Sequence, residues 1–168
     1  MRRRRPWPRS RPAWRLVADG GRLGIDWGKA RIGVAASNRG TRFAYPVETI
    51  AVNGGELGRL AELVAEYEPG IIYVGLPLTL KGERSFAAEF VIQQAGLLAA
   101  RVPGVPIRLV DERLSTAGAS RSLGSVGRSQ RRQRSVIDQA AAVEILQRAL
   151  DLEASGASAG TALGEETE

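Results

Sequence analysis

Residues 22–36, RLGIDWGKARIGVAA, decide how the chain is read. Two short apolar runs, 23–25 and 32–36, flank a polar turn that holds Gly28, Lys29 and Arg31. Short β-favouring runs about a glycine-containing turn predict a hairpin. Asp26 sits at the end of the first run, where an ionised carboxylate is costly unless it is paired or bound to a metal. Gly24, Gly28 and Gly33 leave the backbone near it open to close approach by a ligand. Two readings stand side by side: Asp26 faces a ligand, or it only orders the turn as an Asx residue. Trp27 is expected beside it, placed to stack a base or narrow access to a metal.

Outward from the hairpin, RFAYPVETI (42–50) predicts a third strand, with Pro46 placing it near an edge. Asn53 and Glu56, at capping-box spacing, open a helix with a stripe of Leu57, Leu60, Ala61, Val64 and Tyr67, stopped by Pro69. IIYVG (71–75) is a continuous apolar run, the pattern of a strand buried on both faces. Past the loop LPLTLKGERS, a second helix is expected from about 85 to 101, burying Ala87, Phe90, Val91 and Leu98. Pro103 and Pro106 lead to a strand at 107–110, with Asp111, Glu112 and Arg113 at its carboxyl end. Residues 115–135, rich in Ser, Gly and Arg, read as a basic loop. A last helix is expected from near Ser135, turning Ile137, Ala141, Ile145 and Leu146 to the core, with small residues 140–142 letting it lie close to the sheet. The result is one α/β domain on a mixed five-stranded sheet, a three-strand meander followed by alternating helices and strands.

The ends differ from this pattern. Residues 1–21 carry arginines at 2–5, 9, 11 and 15 with Trp7, Trp14 and three prolines, and read as a disordered Arg-rich arm. Arginines interleaved with tryptophan suit a grip on single-stranded nucleic acid. No apolar stretch follows the arginines, as a secretory signal requires. Residues 153–168 read as a disordered, acidic, low-complexity tail, leaving 22–152 as the packed domain.

Among 168 residues there is no cysteine and no histidine. A thiolate nucleophile, a zinc–thiolate site and an imidazole base are therefore excluded, and hydrolytic chemistry falls to carboxylates, Lys, Tyr, Ser or Thr. The absence of cysteine suits a reducing compartment, and a cytoplasmic location is expected. No apolar run approaches the roughly 20 residues of a membrane span. The formal charge of +6, carried mostly by arginine, points to nucleic acid or another polyanion.

Four carboxylates occupy informative places: Asp26, Asp111, Glu112 and Asp138. In open α/β sheets the ligand crevice lies outside the strand carboxyl ends, where Asp26, Asp111 and Glu112 gather. Carboxylates converging without His or Cys make a hard oxygen site suited to Mg²⁺ or Mn²⁺. Two such ions about 3.5–4 Å apart activate water and stabilise the leaving oxygen of a phosphodiester. Plainer readings remain: Ser135 and Asp138 have capping-box spacing, and Asp111 and Glu112 suit a solvated turn paired with Arg113.

The segments GIDWGKARIGVA, IIYVGLPLTLKGERS, VDERLST and IDQAAAVEILQRAL, in that order, closely resemble the YqgF family, also called RuvX, over roughly residues 23–150. The resemblance implies an RNase H-like fold, related to the RuvC resolvases, with metal-dependent acidic catalysis. Under it Asp26, Glu112 and Asp138 match the family's acidic positions and are the implied catalytic residues and ligands of Mg²⁺ or Mn²⁺. Lys29, Arg31, Lys81 and Arg113 fall on motif positions expected to face substrate phosphates. Arg131 and Arg132, in the basic run before the last helix, are further expected nucleic-acid contacts. One departure stands out: RuvC-type enzymes draw a carboxylate from the fourth strand, and IIYVGLPL carries none. That role passes to Asp111 or Glu112, and the family motif favours Glu112, with Asp111 as the alternate.

The function implied is a metal-dependent nuclease in 5′-end maturation of pre-16S rRNA, with Holliday-junction resolution on branched DNA as the alternative. The expected partner is a structured RNA precursor or branched DNA, bound by a monomer or a homodimer; symmetric junction cleavage would require a two-fold dimer. Two rival readings stand beside this one. An actin-like or sugar-kinase nucleotide site has a similar Asp-x-Gly hairpin but builds its cleft between two such domains, where this chain supplies one. A non-catalytic nucleic-acid-binding module would keep the charge and the fold without the chemistry.

Overall fold

The computed structural model of the protein describes residues 20–114 and 130–165. The greater part of the Arg-rich arm, the basic segment 115–129 and the last three residues fall outside that description.

The expected hairpin and meander form as β1 (Gly21–Trp27), β2 (Arg31–Ser37) and β3 (Tyr45–Ala51), with the Gly28 amide donating to the Arg31 carbonyl at 2.9 Å to close the first turn. β1 and β2 are antiparallel, with Asp26 opposite Gly33. β3 takes the sheet edge, where Pro46 costs no ladder bond to a further strand, and the ladder slips between Val34 and Ala35 beside it. β4 (Pro69–Leu76) and β5 (Ile107–Asp111) then add in parallel on the other side of β1.

Among the described residues the sheet has six strands rather than five, in the order β3-β2-β1-β4-β5-β6. β6 (Thr161–Ala162) pairs antiparallel with β5 and comes from the stretch expected to be a disordered tail. The correction has a local cause. Arg108 on β5 donates from Nε to the Ala159 carbonyl at 2.7 Å, and from its second terminal nitrogen to Ser158 Oγ at 2.9 Å and the Gly160 carbonyl at 2.7 Å. Ala159 is buried, and Gly160, at φ +65°, lies so close to the Leu109 carbonyl that a side chain would collide with it. Small residues read as low complexity, yet here they fit flush against an otherwise bare strand edge.

Among the described residues three helices cover the sheet: α1 (Glu56–Tyr67), α2 (Phe86–Arg101) and α3 (Gln130–Ala154). At α1 the Asn53–Glu56 pair closes the turn ahead of the helix. Glu56 accepts from the Asn53 and Gly54 amides, Asn53 accepts from the Gly55 amide, and Gly55 is the N-cap. Ser85 caps α2 by accepting from the Ala88 amide. The buried stripe of α2 is Ala88, Val91, Ala95 and Leu98; Ala87, expected inside, is exposed because the apolar face starts one residue later. α3 begins at Gln130, ahead of the Ser135 start expected, since Arg and Gln propagate a helix well. Ser135 is thus inside the helix, its carbonyl accepting from Thr49 Oγ1 at 2.9 Å, and the capping-box reading of Ser135 and Asp138 falls away.

Strand alternation sorts the core into two layers. Leu23, Ile25, Trp27, Ile32, Val34, Ile72, Val74 and Leu109 pack beneath α1 and α2. Ala35, Tyr73 and Val110 pack beneath Ala142, Ile145, Leu146 and Ala149 of α3. Trp27 belongs to the first layer, 5% exposed and on the face opposite Asp26. It neither stacks above the aspartate nor narrows its access; adjacent strand residues point to opposite faces, and the indole is core.

Candidate active site

Asp26 is 3% exposed and lies on the α3 face of the central strand. Its two strand neighbours are bare. Opposite it on β2 is Gly33, where any Cβ would run into the Asp138 carbonyl of α3. On β4 the register Ile25–Val74 brings Gly75 level with Asp26. A Cβ at Gly75 would collide with Glu112 Oε1 and stand 2.5 Å from Ile145 Cδ1. A glycine–aspartate–glycine row thus crosses three adjacent strands, and the two missing side chains admit Asp138 from one side and Glu112 from the other. Gly33 is one of the glycines the sequence marks as opening the backbone near Asp26, though what approaches it is α3 of the same chain; Gly75, within an apolar run, carries no such signal in the sequence.

Asp111 and Glu112, adjacent in sequence, stand in different surroundings. Arg113 captures Asp111, donating from its amide to Oδ1 at 2.9 Å, from Nε to Oδ2 at 2.9 Å and from its guanidinium terminus to Oδ2 at 2.5 Å. Burial pushes the Asp111 carboxyl up, but the bonds from Arg113 outweigh it and hold the group below its ordinary value. Glu112 opens a single 3-10 turn (Glu112–Leu114) after β5 and turns inward, 8% exposed. Burial, and secondarily the negative charge of Asp111, push its carboxyl up to about 7. Asp138 accepts from Arg31 Nε at 2.7 Å, so this acid and this base, each expected to serve a ligand, hold each other.

The donor set is oxygen only, which fits Mg²⁺ or Mn²⁺ in kind, and a cation beside Asp26 and Glu112 would offset the burial of two carboxylates. Among the described residues no three acidic groups are gathered as ligands of one ion. Asp26 and Glu112 share the glycine floor, while Asp138 is turned to Arg31.

Lys29 stands exposed in the β1–β2 turn, and Lys81 is exposed in the β4–α2 loop. That loop is a built turn. The Gly82 amide donates to the Thr79 carbonyl at 2.8 Å, the Thr79 amide to the Glu83 carbonyl at 3.0 Å, and Leu78 bridges to Arg84. Gly82 has φ +81°, and a Cβ there would stand 2.8 Å from an Arg113 terminal nitrogen. Arg113 therefore braces the loop against Asp111. Leu80 in this loop and Phe86 at the start of α2 are almost fully exposed, apolar side chains that the charged surroundings mask in the sequence. Arg131 and Arg132 fall on the opening turns of α3, with side chains outside the described residues.

The sheet order and the position of its central aspartate define an RNase H-like α/β domain. Solved structures bear this out at the level of the fold. Thermus thermophilus RuvC matches with a TM-score of 0.52 and 15% identity over 85% of this chain and 99% of that one. RuvC of the same species in complex with a Holliday junction substrate matches with a TM-score of 0.51 and 16% identity over 83% of this chain and 99% of that one.

The family model described as RuvX, Holliday junction resolvase, matches residues 20–152, and the chain belongs to that family. Relatives named "Putative pre-16S rRNA nuclease" include one from Cutibacterium acnes, 49% identical over 86% of this chain and 89% of that protein. One from Mycobacterium tuberculosis is 50% identical over 88% of this chain and 87% of that protein. No helix among the described residues is long and apolar enough to cross a membrane.

Proposed function

We propose that this protein is a metal-dependent nuclease that hydrolyses phosphodiester bonds in 5′-end maturation of pre-16S rRNA, working in the cytoplasm on a structured RNA precursor. The observation that carries the reading is the glycine floor, which seats Asp26 beside an inward Glu112 within the RuvX fold. The names of the relatives favour ribosomal RNA over branched DNA.

Asp26 and Glu112 would hold Mg²⁺ or Mn²⁺, with Asp138 joining once Arg31 releases it. When bound, the ions supply charge that acidifies a water and stabilises the leaving oxygen. The chain's own part is positional. Lys29 and Lys81 reach from exposed turns towards substrate phosphates, and Arg113 holds the Lys81 loop and keeps Asp111 out of the site. Arg31 lies beside Asp138, so an arriving phosphate offers the guanidinium an alternative partner.

The deciding experiment is cleavage with Mn²⁺ or with EDTA of an RNA spanning the 5′ precursor junction and of a four-way DNA junction. Metal-dependent cutting of the RNA alone is expected, with Asp26→Asn reducing it by about 10³-fold or more, the scale of losing a central catalytic group. Cutting of the junction alone would transfer the reading to resolution of branched DNA. Binding without cutting of either would leave a nucleic-acid-binding module.

A further inference from the structure

At the end of the sheet away from Asp26, the start of β1, the β2–β3 loop and the last turn of α3 enclose a cavity of about 540 Å³. Arg22, Arg39, Arg42, Asn38 and Thr41 line it together with one carboxylate, Glu153. Glu153 is balanced within the protein. Arg22 donates from Nε to Oε1 at 3.1 Å and from a terminal nitrogen to Oε2 at 3.3 Å, and the Tyr73 hydroxyl also donates to Oε1. Arg22, 7% exposed, donates further to the Gly20 and Gly21 carbonyls, so it forms a fixed, charge-neutral back wall.

Arg39 and Arg42 are different. Both are exposed, and neither takes part in an ion pair among the described residues. They are presented on an ordered turn. Thr41 donates from its amide and its hydroxyl to the Asn38 carbonyl at 3.0 and 2.8 Å, the Tyr45 hydroxyl donates to Asn38 Oδ1 at 2.7 Å, and Gly40 takes φ +77°. Gln147 of α3 fixes the far end, donating to the Arg42 carbonyl at 2.8 Å and accepting from the Ala44 amide at 3.0 Å. Two uncompensated guanidinium groups at the mouth of a polar cavity, on a loop tied to the core, make a seat for phosphate.

We propose that this cavity is a second nucleic-acid site, where Arg39 and Arg42 hold phosphodiester phosphates of the substrate at a distance from the point of cleavage. β1 runs from Gly21, next to the cavity, to Asp26; five residue steps place the two sites about 17 Å apart, or roughly five steps of duplex rise. Such contacts position a polymer without reading its sequence, and a substrate too short to span the interval gains nothing from them. The polymer's identity rests on the nuclease reading above.

The test is fluorescence anisotropy in EDTA, so that nothing is cut, with labelled RNA and DNA strands of about 30 nucleotides and of about three, across a salt series. For the long strands R39A/R42A should weaken binding about tenfold or more at 0.1 M salt and make the slope of log K against log salt shallower by about 1.4, the release expected for two single-strand phosphates. R39K/R42K, keeping the charges, should retain most of the slope. The short strands should bind wild type and variants alike. A wild-type slope in R39A/R42A, or an equal loss on the short strands, overturns the site while leaving the nuclease reading standing. Failure of the wild-type protein to bind any strand overturns both.

Discussion

Glu112 is held where its charged form is disfavoured, and the consequence for stability has a definite sign. Its carboxyl rises from 4.5 to about 7 on folding, so between those values the folded state retains a proton that the unfolded state has lost. Stability from this group is complete below about pH 4.5, falls as pH rises towards 7 and levels off above it, a loss of about 3 kcal/mol at most. Glu112→Gln should therefore be more stable than the wild type at pH 8 in EDTA, by about 1–3 kcal/mol, and equal to it near pH 4. Urea denaturation at the two pH values checks this, and the same variant should lose metal-dependent cleavage. Arg31 makes the opposite kind of claim. Its 2.7 Å bond to Asp138 competes with any cation for that carboxylate. Arg31→Gln should tighten Mn²⁺ binding about fivefold by titration calorimetry, the equivalent of about 1 kcal/mol for a partly exposed pair. Unchanged affinity would remove Asp138 from the ligand set.

Between elements, the site depends on how near α3 and the turn after β5 come to the sheet. Gly24 lets α3 settle directly on β1, since a Cβ there would stand 2.6 Å from Leu146 Cβ. Gly75 does the same for Glu112. Gly75→Ala should cost about 1–3 kcal/mol through overpacking against Glu112 and Ile145, and should displace Glu112 so that cleavage falls while strand binding persists. Denaturation and anisotropy on one sample separate the two effects. These elements were legible in different degrees. The hairpin, the buried β4 and β5 and the helix stripes stand out because apolar periodicity persists over several residues. The facing of Asp26 and Trp27 follows from alternation, yet the sequence reading set them side by side at the site. The start of α3 is hidden because an Arg- and Gln-rich run suits either a basic loop or a helix, and here it continues as the lead-in to a long helix that lies over β2 and β3. Gly75 carries no signal in the sequence because Glu112, distant along the chain, comes to lie over it only in the fold.

At the scale of the molecule, the carboxyl end of β5 carries Asp111 and Glu112, while its amino-terminal half is closed by the segment through β6. That segment has no periodicity, because a two-residue strand of small side chains cannot show one, and it was read as tail. Its seat is nonetheless specific: three bonds from Arg108, a buried Ala159, and a glycine where only a glycine fits. Truncation after Ala154 would strip these, leave Arg108 without its acceptors in that segment and open the β5 edge to pairing with other chains. At about 1 kcal/mol for each net hydrogen bond, the loss should be about 2–4 kcal/mol and lower the melting temperature by about 5–10 °C. Aggregation on heating should rise with it. Because Glu112 is anchored by the turn beyond β5 and by the glycine floor, cleavage well below the melting point should survive. A truncated protein that melts like the full chain would make β6 a passive edge; one that folds but no longer cuts would make the closure of β5 part of what holds Glu112 in place.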